Sequence, residues 1–180
     1  MEKINSLTGM TDLIEAKTGG NELANKVFQI EKILKEIFTN FAMSEIRTPA
    51  LENTNLFKRS VGDTSDIVNK ELYTFLDKND KSITLRPEGT ASVMRSIIEK
   101  KLDGETHKLW YLGPMWRYER PQKGRYRQFN QAGIEILGYP EGASEYEMIS
   151  IICELNRKLL IKKPLIKINH LGDSDTKKLF

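Results

Sequence analysis

Three stretches of the chain space their apolar residues by threes and fours, as one face of an α-helix requires. The first has its apolar positions at Leu23, Val27, Ile30, Leu34, Ile37 and Phe41. The second follows Pro87, expected in the first turn of its helix, and continues through Ala91, Met94, Ile97 and Ile98. The third opens at the capping-box pair Ser144 and Glu147 and continues through Met148, Ile151, Ile152, Leu155 and Leu159. The pattern therefore predicts three amphipathic helices, each with one buried side.

Five other segments are rich in β-prone residues and end at turn formers. SEIRTPALE (44–52) predicts a short strand at an edge or interface, because Pro49 has no N–H to donate to a neighbouring strand. ELYTFLDKNDKSITLR (71–86) predicts a hairpin that turns at DKND. KLWYLGPMWRYER (108–120) and RQFNQAGIEILG (127–138) predict two strands joined by a basic loop, and PLIKINHLG (164–172) predicts a last strand. Antiparallel hairpins with flanking helices indicate an α+β domain.

The strand predicted over 127–138 differs between its two faces. Counting in twos, one face collects Arg127, Phe129, Gln131, Gly133 and Glu135. The opposite face carries two isoleucines that can seal a core, Ile134 and Ile136. On the preceding strand, the residues that share a face are Gly113, Met115, Arg117 and Glu119.

Pairing these two strands as a hairpin would bring the polar members of both faces together around the gap at Gly133. This surface would offer cations, hydrogen-bond acceptors and an aromatic ring, a combination that fits a ligand with both negative and positive groups. Alternating arginines and glutamates also fit a solvated strand face with weak ion pairs. Periodicity alone leaves both interpretations open and names no ligand.

Composition narrows the class of protein. The 180 residues are enough for one domain with a core, and 39% hydrophobic with 29% charged residues is typical of a globular chain. The net charge of +3 is too small to indicate a nucleic-acid partner, and no apolar run approaches the roughly 18 residues that span a bilayer. One cysteine, Cys153, and a start without a signal-peptide pattern predict a reducing cytoplasm. His107 and His170 lie far from each other and from Cys153, so no metal site made by the protein alone is expected.

Four segments together resemble the histidyl-tRNA synthetases, a family of class II aminoacyl-tRNA synthetases. They are SEIRTPALE, LFKRSVGDTSDIVNKELYTF, TLRPEGTA and LWYLGPMWRYERPQKGRYRQFNQAGIEILG. The resemblance covers essentially the whole chain, and its last two segments are long and specific. It implies an antiparallel sheet flanked by helices, a homodimer, and a cytoplasmic ligase that activates L-histidine with ATP and Mg²⁺ and transfers it to tRNA(His).

The resemblance covers only the N-terminal part of the family's catalytic domain. Residues 1–180 contain motifs one and two, whereas motif three, the histidine-specific segment usually containing RGLDYY and the anticodon-binding domain do not occur in them. The expected fold is therefore an incomplete class II sheet. The chain alone is expected to bind ATP or histidine weakly and not to charge tRNA.

The resemblance also assigns the amino-acid site. Glu88 and Thr90 match positions that hold the histidine α-amino group, and Gln131 matches a further contact to the amino acid. Glu135 matches the carboxylate that recognises the imidazole; a site built to hydrogen-bond its substrate rejects isosteres that leave its polar groups unpaired. Arg117 matches the catalytic arginine that bridges the histidine carboxylate and the ATP α-phosphate. An arginine suits this position because its planar fork binds two oxygens and keeps its charge.

The remaining matches concern ATP, tRNA and the dimer. Glu119 matches a contact near the adenine, Phe129 the ring on which adenine stacks, and Arg125 and Arg127 positions near the phosphates. Arg120 and Gln122 match positions in the loop that meets the tRNA acceptor end. Pro49 matches the motif-one proline at the dimer interface.

Two alternatives come from other classes. The regulatory subunit of ATP phosphoribosyltransferase is a non-catalytic relative that commonly loses parts of the motif-two loop and of the amino-acid-contact segment. Both are intact here, in RPQKGRYRQF and RPEGTA. A basic RNA-binding module could use the loop at 120–127 for phosphate contacts, although Glu119 and Glu135 would repel a phosphate backbone and aromatic stacking positions are few.

Overall fold

The computed structural model describes residues 3–15, 22–61, 65, 67–120, 122–140, 142–161 and 165–169. The helices in these ranges are α1 (Glu22–Asn40), α2 (Thr54–Val61), α3 (Thr90–Glu99) and α4 (Ala143–Lys158), with a π-helical turn at Ile67–Glu71. The strands are β1 (Ser44–Glu45), β2 (Leu51–Asn53), β3 (Thr74–Leu76), β4 (Ser82–Leu85), β5 (His107–Trp116) and β6 (Gln128–Leu137). The α+β prediction is confirmed.

The long hairpin predicted on either side of the basic loop forms the main sheet. Strands β5 and β6 pair antiparallel along their whole length, from His107 opposite Leu137 to Trp116 opposite Gln128. Strand β1 joins the free side of β5 in parallel, which gives the order β1-β5-β6. Because opposed residues in an antiparallel pair project to the same side, this register fixes which side chains share a face.

Each face of the hairpin packs against helices. Ile134 and Ile136 face α1 and α4, as their alternation predicts, and join a core in which the rings of Phe38 and Trp110 lie 5.2 Å apart. The opposite face packs on α3 and contributes Leu109, Tyr111 and Met115 to a second core with Val93 and Ile97. Gln131 and Glu135, the polar residues of β6 on this face, therefore emerge beside α3.

A smaller sheet with the order β2-β4-β3 follows the predicted hairpin at 71–86. One of its faces carries a cluster of hydroxyl groups: Thr84 lies 2.9 Å from Thr54 and 2.7 Å from Thr74, and Thr54 lies 2.8 Å from Ser82 (Oγ1 and Oγ atoms). Thr84 is completely buried. The cluster ties the start of α2 to this sheet.

Replacing Thr84 by valine is expected to lower the free energy of unfolding by about 1–3 kcal/mol, because it removes the hydroxyl that lies 2.9 Å from the buried Thr54 hydroxyl. Urea unfolding at neutral pH measures this change. Thr39→Val removes an exposed hydroxyl that donates to Lys35 O at 2.8 Å, and should change stability by less than about 0.5 kcal/mol. An equal loss in both variants would rule out a special contribution from the buried cluster.

Two boundary predictions around prolines need correction. The single strand expected over 44–52 is split: β1 belongs to the main sheet, β2 to the small sheet, and Pro49 lies exposed between them in neither ladder. Pro87 is buried ahead of α3 and is not in its first turn. The helix begins at Thr90 because the carboxylate of Glu88 accepts hydrogen bonds from the backbone N–H groups of Thr90 (2.6 Å) and Ala91 (3.0 Å).

The start of α4 and the last predicted strand also differ. The helix is preceded by Gly142 at φ +82°, whose N–H donates to the Glu145 carboxylate at 2.7 Å, so the expected Ser144–Glu147 capping box does not form. The carboxylate of Glu147 instead accepts a hydrogen bond from the Lys108 ammonium at 2.7 Å. Residues 165–169 contain no strand, because their apolar side chains lie exposed without a neighbouring strand within the described ranges; the other residues of that prediction lie outside them.

Candidate active site

Two groups of polar side chains flank the segment 87–90 that leads into α3. We call Glu88, Thr90 and Glu135 the carboxylate cluster. We call the space lined by Glu71, Arg117, Glu119, Gly124, Arg125, Tyr126 and Phe129 the arginine cavity; its volume is about 420 Å³. The segment 87–90 connects the two groups, because it carries Glu88 and Thr90 and its Pro87 carbonyl accepts a hydrogen bond from Arg117.

The carboxylate cluster joins α3 to β6. The Thr90 hydroxyl donates to Glu135 Oε1 at 2.7 Å, across 45 residues of sequence, while the Thr90 backbone N–H is held by Glu88. A larger cavity of about 660 Å³ runs from Glu88 and Thr90 along α3 past apolar side chains such as Met94 and Ile98. The cluster therefore presents two carboxylates beside an apolar space.

Burial changes the acidity of the groups in the carboxylate cluster. It raises the pKa of Glu135, an effect that the Thr90 hydrogen bond opposes and the nearby Glu88 charge reinforces. Burial also raises the pKa of Tyr111, again opposed by hydrogen bonding to Thr90. A cation placed against Glu135 would relieve the cost of holding its charge there.

Tyr111 supports this cluster and was not identified from the sequence. Its ring is buried between two glycines: a Cβ on Gly89 would lie 2.2 Å from Cε2 of Tyr111, and a Cβ on Gly133 would lie 2.2 Å from Cζ. The gap predicted at Gly133 is therefore filled by a tyrosine ring. Extending the period-two count of β5 one step before Gly113 would have placed Tyr111 on this face.

Gln131 lies on the same face as Glu135 and opposite Gly113. Its Oε1 is buried, and within the described residues no donor reaches it. A buried amide oxygen without a partner costs free energy. The atom is thus an acceptor available to a ligand N–H.

Arg117 is the cation that joins the arginine cavity to the segment 87–90. Its Nε donates to the Pro87 carbonyl at 2.9 Å, and its guanidinium lies 5.1 Å from the centroid of the Phe129 ring. Oε1 of Glu119 lies 3.9 Å from Nη1 of Arg117, and this distance is too long for a hydrogen bond. The terminal nitrogens of Arg117 are therefore oriented by the backbone rather than by an ion pair.

The other residues predicted near ATP fall into two groups. Glu119 and Arg125 line the arginine cavity with Phe129, with Glu119 Oε2 3.6 Å from Arg125 Nη1. Arg127 does not line it: its guanidinium lies 4.0 Å from the centroid of the Tyr118 ring, and its Nε donates to the Glu119 carbonyl at 3.2 Å. The alternation fails here because 127 precedes the first residue of β6.

The residues predicted to meet tRNA and a second subunit line neither group. Arg120 and Gln122 are exposed in the loop between β5 and β6, which closes through backbone hydrogen bonds between Gln122 and Arg125. Pro49 is exposed at the crossing from β1 to β2. Residues of the arginine cavity that sequence reasoning missed are Glu71 and Tyr126; Glu71 reaches it because its carbonyl accepts the Tyr118 N–H at 2.6 Å.

This arrangement separates charge along one surface. Carboxylates and an amide oxygen at one end can accept hydrogen bonds from ammonium or imidazole groups, and the arginines at the other end can bind anionic oxygens. Arg117 lies at the junction between the two ends. None of the described helices is both long and apolar enough to cross a bilayer.

The chain is similar in sequence to histidine–tRNA ligases. It matches the family model described as Histidyl-tRNA synthetase over residues 18–173. It is 45% identical to the histidine–tRNA ligase of Prochlorococcus marinus (strain MIT 9515), in an alignment that covers 100% of this chain and 41% of the relative. It is 52% identical to the histidine–tRNA ligase of Geobacillus sp. (strain WCH70), in an alignment that covers 83% of this chain and 36% of the relative. The solved apo histidyl-tRNA synthetase of S. aureus aligns with a TM-score of 0.69 at 39% identity, over 90% of this chain and 36% of that one. The chain spans about two-fifths of the length of the curated relatives it matches.

Proposed function

This chain belongs to the histidyl-tRNA synthetase family of class II enzymes, and from that premise we propose that it is part of the catalytic domain of a histidine–tRNA ligase. The complete enzyme would join histidine to the α-phosphate of MgATP, release pyrophosphate and transfer the histidyl group to tRNA(His). The geometry around Arg117 carries the proposal, because this cation lies where an amino-acid site and a nucleotide site would meet.

Arg117 is arranged to bridge two anions. Anchoring Nε on the Pro87 carbonyl leaves the terminal nitrogens free to donate to one oxygen of the histidine carboxylate and one of the α-phosphate. The substrate carboxylate is already a nucleophile, so the step needs positioning and charge stabilisation rather than a strong base. Because the guanidinium is held before substrate arrives, little reorganisation is needed when negative charge develops.

We assign the histidine subsite to the carboxylate cluster and Gln131. Glu135 would accept from the imidazole, while Gln131 and Glu88 would accept from the α-amino group. Glu88 already accepts two backbone N–H groups, yet a carboxylate has about four lone-pair sites and can accept more. The substrate cation would also offset the burial that raises the pKa of Glu135.

We assign the nucleotide subsite to the arginine cavity. Phe129 offers a ring on which the adenine can stack, and Glu119 offers an acceptor for the adenine amino group. Arg125, with 63% of its side chain exposed, offers a cation for the phosphates of MgATP. Arg127 is not among the proposed phosphate contacts, since its guanidinium stacks on the Tyr118 ring and donates to the Glu119 carbonyl.

The tRNA and the second subunit would meet other surfaces. Arg120 and Gln122 are exposed in the loop next to the arginine cavity, within reach of an acceptor end entering there. Next to Pro49, the small sheet has an apolar face on which Leu51 is 44% and Phe75 47% exposed. Such a face is a fitting contact for a homodimer. The single, free Cys153 agrees with the cytoplasmic location we propose.

The test uses the 180-residue chain and three probes: histidine, MgATP, and the sulfamoyl analogue of histidyl-adenylate, which carries both halves. NMR shift mapping should place histidine at Glu135 and MgATP at Phe129, each with a dissociation constant no tighter than about 1 mM. The linked analogue should bind at least about 100-fold tighter, because its second half binds intramolecularly. The chain alone should give no histidine-dependent pyrophosphate exchange.

Phenylalanine and the sulfamoyl analogue of phenylalanyl-adenylate are the controls, since the side chain of neither has an N–H to offer Glu135. If they bind as tightly as their histidine counterparts, the assignment of the histidine subsite is wrong. Exchange activity in the isolated chain would contradict the expectation that it binds both substrates too weakly to react.

A further inference from the structure

The chain segment ahead of α1 forms a turn that lies against Arg127 and Gln128, next to Phe129 of the arginine cavity. The Met10 N–H donates to the Leu7 carbonyl at 3.0 Å, which closes a turn over residues 7–10. We call these four residues the N-terminal turn. Its two apolar ends are not core residues: Leu7 is 69% exposed and Met10 is only partly buried.

The N-terminal turn is bonded to the returning arm of the basic loop. The Gly9 carbonyl accepts the N–H of Arg127 at 2.8 Å and of Gln128 at 3.1 Å. Gly9 has φ +79°, and a Cβ there would lie 3.0 Å from Arg127 Cγ and 3.1 Å from Arg127 N. Glycine is therefore required twice, for its backbone conformation and for the close approach.

Arg127 connects the N-terminal turn to two residues that line the arginine cavity. Its carbonyl accepts the Arg117 N–H at 2.9 Å, its guanidinium stacks on Tyr118, and its Nε holds the Glu119 carbonyl. Both Arg117 and Glu119 line the arginine cavity, so Arg127 contacts the backbone of two of its walls without lining it.

We propose that the N-terminal turn and Arg127 act as a brace that positions the nucleotide subsite. The inference rests on the proposed function for the identity of the ligand, MgATP, but the brace itself is a set of contacts in the free protein. Gly9 and Arg127 are positioning residues: they hold Arg117 and Glu119 in place and touch no substrate. Loss of the brace should weaken MgATP binding more than histidine binding, because the Thr90–Glu135 contact lies toward the other end of β6 and histidine would lose only its contact with Arg117.

The test compares two glycine variants at equal backbone strain. Gly9→Ala adds a methyl group at φ +79° against Arg127, whereas Gly142→Ala adds one at φ +82° with no atom within 4 Å. In Gly9→Ala, amide exchange at Arg127 and Gln128 should become at least about tenfold faster, and the dissociation constant of MgATP should rise about tenfold while that of histidine rises by no more than about threefold. Gly142→Ala should change none of these.

A second variant, deletion of residues 1–10, removes the brace without adding strain. It should reproduce the Gly9→Ala effects, while the indole signal of Trp110, which lies in the core on α1 and α4, stays that of the folded chain. Unchanged exchange at Arg127 and Gln128 in the folded variants would overturn the proposal. So would global unfolding of the deletion variant, or equal losses of MgATP and histidine binding, since either would make the turn a general folding element.

The two proposals fail in different ways. If the unaltered chain does not bind MgATP at the arginine cavity, the nucleotide subsite is wrong. The exchange rates of the free protein still decide whether the brace exists.

Discussion

Arg117→Lys is expected to weaken binding of the histidyl-adenylate analogue by about 10- to 100-fold, the loss of roughly 1.5–3 kcal/mol that removing charged hydrogen bonds produces. Lysine keeps the positive charge but has neither an Nε–H to donate to the Pro87 carbonyl nor a planar fork for two oxygens. Isothermal titration of the 180-residue chain with the analogue measures the change.

A matched variant separates this effect from a general arginine effect. Arg157 also pairs with a carboxylate, Glu154, but it lies on α4 with 70% of its side chain exposed. Arg157→Lys should leave analogue affinity within about twofold, as exposed ion pairs contribute little. If Arg117→Lys binds the analogue as well as the unaltered chain does, Arg117 does not bridge the two halves, and the central observation behind the proposed function loses its force.

Glu135→Gln is expected to weaken histidine binding by about 10- to 100-fold while making the folded chain more stable at neutral pH. Burial raises the pKa of Glu135 above its value in the unfolded chain, so the ionised carboxylate costs the folded state free energy at any pH above that raised pKa. The cost disappears as the pH falls through the folded pKa toward the unfolded one. Glutamine removes the charge and still offers an oxygen to the Thr90 hydroxyl.

The pH dependence distinguishes this explanation from simple repacking. The stability gain of Glu135→Gln should be present at pH 7 and vanish below about pH 4, where the carboxyl of even the unfolded chain is largely protonated. Thermal unfolding at both pH values, with histidine titrations at pH 7, gives the measurement. Glu105→Gln, in an exposed turn, should change neither quantity. A gain that persists unchanged at low pH would show that burial of the charge is not its cause.

The two predictions together describe a site that is costly to fold. A half-buried carboxylate at Glu135 and an amide oxygen without a partner at Gln131 both reduce the stability of the free chain. Groups of this kind are retained where a ligand completes them. The hydroxyl cluster around Thr84, by contrast, is internally satisfied, so we expect it to contribute to stability alone.

Where local rules applied, reading the sequence placed the elements well. The helix over 22–40, the hairpin of β3 and β4, and the long β5–β6 hairpin follow from spacing and turn residues. Ile134 and Ile136 lie in a core, as alternation along β6 requires. The family resemblance was confirmed as well. The roles of individual residues in binding histidine, ATP and tRNA stay predictions, tested by the variants above.

The failures occurred where a specific side-chain contact competed with a general rule. The capping box at Ser144 did not form because Glu147 is paired with Lys108 on β5. Pro87 was displaced from the first turn of α3 because Glu88 caps that helix with its own side chain. Arg127 lies one residue before β6, where strand alternation no longer holds, and its guanidinium stacks on Tyr118.

What this sequence determined by itself is the helices α1, α3 and α4, the two hairpins β3–β4 and β5–β6, and the family to which it belongs; the helix α2 was not predicted. These depend on neighbours a few residues apart, whose spacing and chemistry are written in order along the chain. Only the tertiary structure decided that Tyr111 fills the gap at Gly133, that Thr90 donates to Glu135, and that Gly9 holds the backbone of Arg127. Contacts of this kind depend on how packed elements approach one another in space, and the order of residues along a strand carries no direct record of that approach.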